Sequence, residues 1–293
     1  MNRKIFYLDP AATKPNTVDV HRHLVESGIV APGCWRDCDV FLCDWAQYAD
    51  AHALRAARGL GYRLNHLPTA SERLHHKKAM TRLLDGRPYL PRTFLGRAPR
   101  GLEGLWVEKP YNLDRGRGIT FLRAPRRWRR EHHLLQRYVE DPWLINGGKT
   151  EVRMLARLDD DGSILAYEDG RIRVADRPYD PASNDPRVHN ANAMFQQRAG
   201  TASVDQHLMS ERAPDAAIVP AMVDIVRDTA AVLTRAGVFE RSADFEILGY
   251  DFVIDRDHRP WLLEVNRSPG FYFDTDGARR FYLGALEALI GSL

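Results

Sequence analysis

The sequence predicts a mixed α/β chain, α+β in its later part, made of a small parallel lobe followed by lobes dominated by antiparallel strands. Three observations carry this prediction. Strand and helix signals alternate through the first sixty-odd residues, short strands separated by turn-rich segments follow, and longer strands with a closing hairpin and helix end the chain. At 293 residues the chain is longer than an ordinary domain, so several lobes around a shared core are expected.

The elements follow in order. Residues 5–8 form a short apolar run, 17–27 carry apolar residues at helical spacing and stop at Gly28, 40–43 are a second run, and 48–58 are an Ala-rich helix stopped by Gly59. This order implies a small parallel sheet. Asp9-Pro10-Ala11-Ala12 stands where a dinucleotide-binding turn would need glycines, so this lobe is not expected to hold a nucleotide.

Thr69-Ala-Ser-Glu72 has the spacing of a capping box, and Leu74, Met80, Leu83 and Leu84 extend an apolar stripe. One helix is therefore expected, with Pro68 just outside it and its end near Asp85-Gly86. Short strands are expected at 93–95, 105–109, 119–122 and 134–139, then a boundary at Asp141-Pro142. Longer strands follow at 149–158, 164–168 and 171–175, with Asp159-Asp-Asp-Gly162 as the first turn between them. Residues 177–214 are polar and turn-rich, as a long loop or flap would be, and 221–236 form an amphipathic helix stopped by Gly237. Strands at 245–255 and 260–266 and a helix from about Ala278 close the chain. Lobes are expected over 1–68, 69–136 and 137–293.

Composition excludes several classes. The chain is 44% hydrophobic and 28% charged, and no run nears the roughly 18 apolar residues of a membrane span, so no membrane partner is expected. With 42 Lys+Arg against 39 Asp+Glu, the basic clusters near 97–100 and 123–130 are countered elsewhere, and no nucleic-acid partner is expected. The first residues lack the apolar core of a signal peptide, so a cytoplasmic location is expected. Cys34, Cys38 and Cys43 are an odd trio with no standard zinc spacing, expected as small buried residues beside the 40–43 strand. The pairs His21/His23, His75/His76 and His132/His133 are expected at the solvated surface, because neighbouring side chains diverge.

Three segments carry chemistry. In Phe245-Glu-Ile-Leu-Gly-Tyr-Asp251-Phe-Val-Ile-Asp255 and Pro260-Trp-Leu-Leu-Glu264-Val-Asn266, pairing Asp255 with Pro260 sets facing residue numbers to sum to 515. Asp251 then faces Glu264, with Asn266 on the same face. Facing carboxylates repel unless a cation lies between them, and a hard divalent ion such as Mg²⁺ takes this donor set. The second segment, Trp106-Val-Glu-Lys109 leading into Arg115-Gly-Arg117-Gly118-Ile119, is a strand ending in a lysine and a glycine-arginine loop of the kind that covers phosphate. In the third, Lys149, Glu151 and Arg153 alternate with apolar residues on one strand face, where Arg173 can approach from a neighbouring strand.

Together these segments resemble the tubulin–tyrosine ligase family of the ATP-grasp superfamily, in a bacterial-type form. The likeness runs through Trp106-Val-Glu-Lys-Pro, Arg115-Gly-Arg-Gly-Ile, Gln136-Arg-Tyr-Val-Glu-Asp-Pro, Lys149-Thr-Glu-Val-Arg, Arg173 with Pro178-Tyr179, His189-Asn-Ala-Asn192 and Gly249-Tyr-Asp-Phe to Leu263-Glu-Val-Asn-Arg-Ser-Pro. It implies an ATP-grasp fold with an N-terminal Rossmann-like lobe and a nucleotide held between a central and a C-terminal lobe. By the same likeness Lys77, or Lys78 beside it, and Lys109 contact phosphates, Arg117 and Gly118 belong to the covering loop, and Gln136, Arg137, Tyr138 and Val139 form the strand that contacts adenine. Lys149, Glu151, His189 and Asn192 also approach the nucleotide, Asp251, Glu264 and Asn266 hold one or two Mg²⁺ ions (Mn²⁺ substituting), and Arg153, Arg173 and Glu264 serve catalysis.

The implied activity is ATP-dependent ligation of a carboxylate to an amino acid or amine, releasing ADP and phosphate. The implied acceptor is a peptide, protein tail or small metabolite rather than tubulin. A kinase or a non-catalytic nucleotide-binding module is the alternative. Two positions depart from the family pattern: Glu151 stands where aspartate is usual and Ala191 where threonine is usual.

Overall fold

The computed structural model describes residues 4–8, 15–34, 36–42, 55–56, 59–113, 116–183, 185–191, 206–239, 242–267, 269–271 and 275–293. Near the N-terminus, β1 (Lys4–Leu8), β2 (Val30–Pro32), β3 (Val40–Leu42) and β4 (Arg63–Leu64) form a parallel sheet in the order β2-β1-β3-β4, with α1 (Pro15–Glu26) crossing from β1 to β2. The parallel lobe is as expected. The 48–58 helix falls largely outside the described residues, of which 55 and 56 are helical.

The single helix expected after it is two. Leu67, not Thr69, is the N-cap of α2 (Pro68–His75), and Pro68 opens the helix at its first position, where its missing N–H costs nothing. Glu72 does not close a capping box: its carboxylate accepts from Arg267 at 2.6 Å. At His76 the backbone leaves helical geometry (ψ 112°), and its ring Nδ1 accepts the Ala79 N–H at 3.4 Å to start α3 (Lys77–Leu83).

β5 (Thr93–Arg97), β6 (Leu105–Pro110), β7 (Thr120–Arg123) and β8 (Arg129–Arg137) make an antiparallel sheet in the order β5-β8-β6-β7. β8 starts five residues before the expected 134, because its first four residues are exposed and carry no apolar signal. The larger sheet joins β9 (Leu144–Ile145), β10 (Gly148–Asp159), β11 (Ile164–Ala166), β12 (Arg171–Pro178), β13 (Gln206–Leu208), β14 (Phe245–Ile254) and β15 (Pro260–Arg267), with the path β13-β12-β10-β14-β15. The expected 177–214 loop holds two one-turn helices, α4 (Pro186–His189) and α5 (Met209–Arg212), besides β13, and its residues 192–205 are outside those described. Next comes α6 (Ile218–Arg235), which starts before the expected 221 because Pro220 is tolerated in a first turn; α7 (Asp276–Gly291) ends the chain.

The two faces of the large sheet have different covers. Val152, Met154, Leu248, Tyr250 and Phe252 point into a core shared with α2, α3 and α6. Leu155, Phe245 and Ile247, on the opposite face, pack under α7 and α1 with Phe281, Leu289, Val20 and Leu24. Those helices cover only one end of that face. Further along the same strands, Lys149, Glu151, Asp251 and Val253 line a cavity together with Val107 and Lys109 of β6 and Gln136 of β8.

Cysteine placement differs in part from expectation: Cys38 is buried and Cys34 exposed, and Cys43 lies outside the described residues. Among the described residues no helix is long and apolar enough to cross a membrane.

Candidate active site

The site is laid out by strand register. Glu151 pairs with Arg173 between β10 and β12, Arg153 with Asp251 between β10 and β14, and Asp251 with Glu264 between β14 and β15. Charged residues on four neighbouring strands thus share one face. The hairpin reaches this register by a route the sequence hides. Near its turn Ile254 pairs with Pro260, one residue short of the expected Asp255–Pro260 register, and a bulge at Leu263 then restores the expected pairing of Asp251 with Glu264. Without the extra residue, alternation would turn Glu264 toward the apolar core face.

The contacts follow from this ladder. Arg153 donates from Nε and a terminal nitrogen to the two Asp251 oxygens, each at 2.6 Å, and Arg173 adds a third bond at 2.8 Å. Asn266 Nδ2 donates to Asp251 at 3.0 Å and to Glu264 at 3.3 Å. Burial alone would raise the Asp251 carboxyl, but the Arg153 and Arg173 guanidiniums outweigh it and hold the group at about 2. Arg173 also lies 3.4 Å from Glu151, while its buried Nε has no hydrogen-bond partner among the described residues. Gly249 makes room for this arrangement, since a Cβ there would meet the Arg153 side chain at 3.2 Å and Pro269 at 3.1 Å.

Across the cavity, β6 and β8 present Lys109 and Gln136. Both are buried, and Lys109 Nζ donates to Gln136 Oε1 at 2.8 Å. Burial pushes the Lys109 ammonium down to about 8, with Glu264 opposing and Lys77 and Lys149 adding to the shift. Lys77, at the start of α3, donates to Leu113 O at 2.9 Å and lies 4.0 Å from Glu264. Lys78 instead stands over the Tyr111 ring at 5.7 Å. Lys149 is buried with its pKa lowered, chiefly by burial, and donates to His189 O at 2.8 Å while lying 3.7 Å from Glu151.

One cavity is lined by Lys109, Gln136, Lys149, Glu151, Arg173, His189, Asp251 and Glu264, together with Arg137, Tyr138 and Val139. Arg137 directs its guanidinium away, to the Glu103 carbonyl and to Glu140 at 2.6 Å. Arg117 and Gly118 are exposed, and their neighbours Gly116 and Ile119 line the cavity in their place. Asn192 lies outside the described residues.

The model of the tubulin-tyrosine ligase family matches residues 60–291. The chain belongs to that family. Similar proteins include tubulin polyglutamylase TTLL5 of Mus musculus, 30% identical over 58% of this chain and 15% of its own length. Tubulin polyglutamylase TTLL7 of Homo sapiens is 26% identical over 78% of this chain and 32% of its own, and tubulin monoglycylase TTLL3 of Homo sapiens 29% identical over 58% and 26%. The chain therefore spans under a third of the length of these relatives. The mixed α/β fold, with two antiparallel sheets meeting at the cavity, is the ATP-grasp type that the family resemblance implied.

Some lining residues were not anticipated. Val107, Phe121, Val253 and Leu263 form apolar parts of the wall, and Asn190 joins them. Strand alternation could have found Val107, two residues before Lys109, and Val253, two after Asp251. Leu263 reaches the cavity only through the bulge, and no local signal marks it.

Among the described residues no three His, Cys, Asp or Glu side chains are grouped to hold a metal. Asp251, Glu264 and Asn266 nevertheless fit a hard divalent ion in donor type, with two carboxylates and an amide whose Oδ1 would face them if the group turned over.

Proposed function

We propose that this member of the tubulin–tyrosine ligase family is an ATP-dependent carboxylate–amine ligase. The observation that supports it is one cavity in which Lys109, Lys149 and Arg173 line the same space as the Asp251–Glu264 pair, with Lys77 beside Glu264. Cations suited to a polyphosphate and hard-oxygen donors suited to its metal meet there.

In this reading Lys77, Lys109 and Lys149 hold the phosphates, and Gln136 to Val139, at the end of β8 and just beyond it, lie beside adenine. Asp251, Glu264 and Asn266 hold Mg²⁺, which when bound neutralises charge on the phosphate oxygens. Arg153, with two of its nitrogens on Asp251, braces that carboxylate. Arg173, whose Nε has no partner among the described residues, orients the γ-phosphate and the attacking carboxylate. A carboxylate oxygen bonds to the γ-phosphorus as the β,γ-bridging P–O bond breaks and ADP leaves with the electron pair. The amine nitrogen then attacks the acyl carbon of the acyl phosphate, phosphate departs, and the nitrogen releases a proton. The acyl phosphate must be shielded from water, and the 115–118 and 177–214 loops are the covers proposed.

The lobes serving this chemistry are 1–68, 69–136 and 137–293, with α2 and α3 of the middle one packed into the C-terminal core. Similar proteins are named for polyglutamylation and monoglycylation of tubulin, so protein tails with glutamate or glycine are the first substrates to try. The protein should release ADP and phosphate from ATP and Mg²⁺ in an amino acid- and acceptor-dependent way, with a matching mass gain on the acceptor. Glu264→Gln should abolish this while circular dichroism and the unfolding midpoint stay unchanged. A folded, active Glu264→Gln variant would sink the metal assignment, and nucleotide binding without turnover across all acceptors would sink the ligase.

A further inference from the structure

The family resemblance implies that His189 contacts the nucleotide, but both of its ring nitrogens are engaged within the protein. Nε2 lies 2.9 Å from Ser183 O, and Nδ1 3.0 Å from the Tyr138 hydroxyl. A carbonyl only accepts, so Nε2 carries a proton, and in the neutral ring Nδ1 is then the acceptor for the Tyr138 O–H. Phe121 lies against the ring with centroids 4.4 Å apart, and the residue is 2% exposed. The backbone is engaged too: His189 O accepts from Lys149 Nζ at 2.8 Å, and that ammonium lies 4.8 Å from the Tyr138 ring centroid.

We infer that His189 is a positioning residue: its neutral ring fixes Tyr138, its carbonyl fixes Lys149, and it acts on bound nucleotide only through those two. This rests on the nucleotide reading given above. Tyr138 sits immediately after β8 and Lys149 near the start of β10, and α4 carries His189 from the far end of the 179–191 segment. One residue therefore ties that segment to both sheets beside the cavity.

Burial favours an uncharged imidazole here. Protonating Nδ1 would turn the acceptor for Tyr138 into a donor and add positive charge near Lys149. Among the described residues, the groups facing the ring are Lys149 from β10, Tyr138 after β8, Phe121 from β7, and Tyr179, Asp180, Ser183 and Asp185 from its own segment. Burial, with Lys149 in support, holds the imidazole below its usual value, while the Ser183 carbonyl and the two aspartates oppose this. The ring is thus neutral at pH 7, and its anchoring weakens only as the pH falls below that range.

The test is titration calorimetry with ATP and Mg²⁺ between pH 5.5 and 7.5 on the wild type, His189→Phe, His189→Asn, Tyr138→Phe and the double variant His189→Phe/Tyr138→Phe. Phe keeps the ring contact with Phe121 but loses both hydrogen bonds, and should weaken ATP roughly tenfold at pH 7.5, the size of one to two net hydrogen bonds. Tyr138→Phe should give a comparable loss, and the double variant little more than either single one. The wild type should lose affinity as the pH falls through the range in which His189 charges; His189→Phe should lose that dependence, and Tyr138→Phe the share of it that the hydrogen bond carries. Asn, which can accept and donate, should recover part of the affinity. If His189→Phe binds like the wild type, or Tyr138→Phe keeps the full acid dependence, the positioning role is overturned. Should His189→Phe fail to fold, Tyr138→Phe and His189→Asn carry the same decision. A wild type that binds no ATP at any pH would instead overturn the nucleotide reading.

Discussion

Two buried carboxylates show what separates structure from site. Glu108 is 3% exposed and Asp251 4%, and each sits mid-strand among charged and aromatic neighbours. Glu108 accepts from Trp128 Nε1 at 2.6 Å and from Arg130 at 2.8 Å. No second carboxylate faces it across either neighbouring strand, since its partners are Thr120 on β7 and Leu135 on β8. Asp251 has Glu264 opposite and two guanidiniums on it, in a wall of the cavity. Burial with good partners is therefore not the mark of function. What marks the second cluster is charge in excess of what folding needs, turned toward open space.

The sharpest way to break this comparison is Asp251→Asn. It leaves Arg153 and Arg173 buried without their shared anion, which costs about 3–5 kcal/mol where a buried pair loses one partner. Urea unfolding should show that loss, with turnover below detection. An Asp251→Asn protein as stable as the wild type would mean that the ladder is not what holds the two arginines.

Lys109→Gln comes next, and should weaken ATP by roughly tenfold to a hundredfold at pH 7, the size of a lost charge-assisted hydrogen bond. The pH profile gives an independent check. Lys109 is charged below and neutral above its depressed value of about 8, so wild-type kcat/KM should fall as the pH rises through that value. Lys109→Gln should lack that alkaline fall. If the variant keeps it, another group titrates there.

Much of this site was legible because period-two alternation needs no tertiary information. Lys149, Glu151 and Arg153 share a face on sequence grounds alone, and Asp251 opposite Glu264 followed from counting back from the turn. The count succeeded for an incomplete reason, because a misjudged turn register and an unseen bulge offset each other. The break at His76 escaped notice because a histidine that caps its own following helix has no propensity signature. The Tyr138–His189 bond joins residues 51 apart, and nothing local to either announces the other. Charges on strands were thus readable, whereas contacts made by loop closure were not.

The smallest expected effect tests the other half of the comparison. Glu108→Gln keeps an acceptor for Trp128 and removes the charge facing Arg130, whose side chain is 59% exposed and can be hydrated instead. The loss should be near 1 kcal/mol, between a surface pair and a buried hydrogen bond to a charged group. Glu108 precedes Lys109, so its side chain points to the opposite face of β6, into the cluster with Trp128 rather than the cavity. ATP affinity and turnover should accordingly match the wild type at saturating Mg²⁺, measured beside Glu264→Gln in the same assay. If Glu108→Gln instead lowers turnover tenfold with its stability intact, charge beyond the cavity wall contributes to the reaction, and the line drawn between the two carboxylates is in the wrong place.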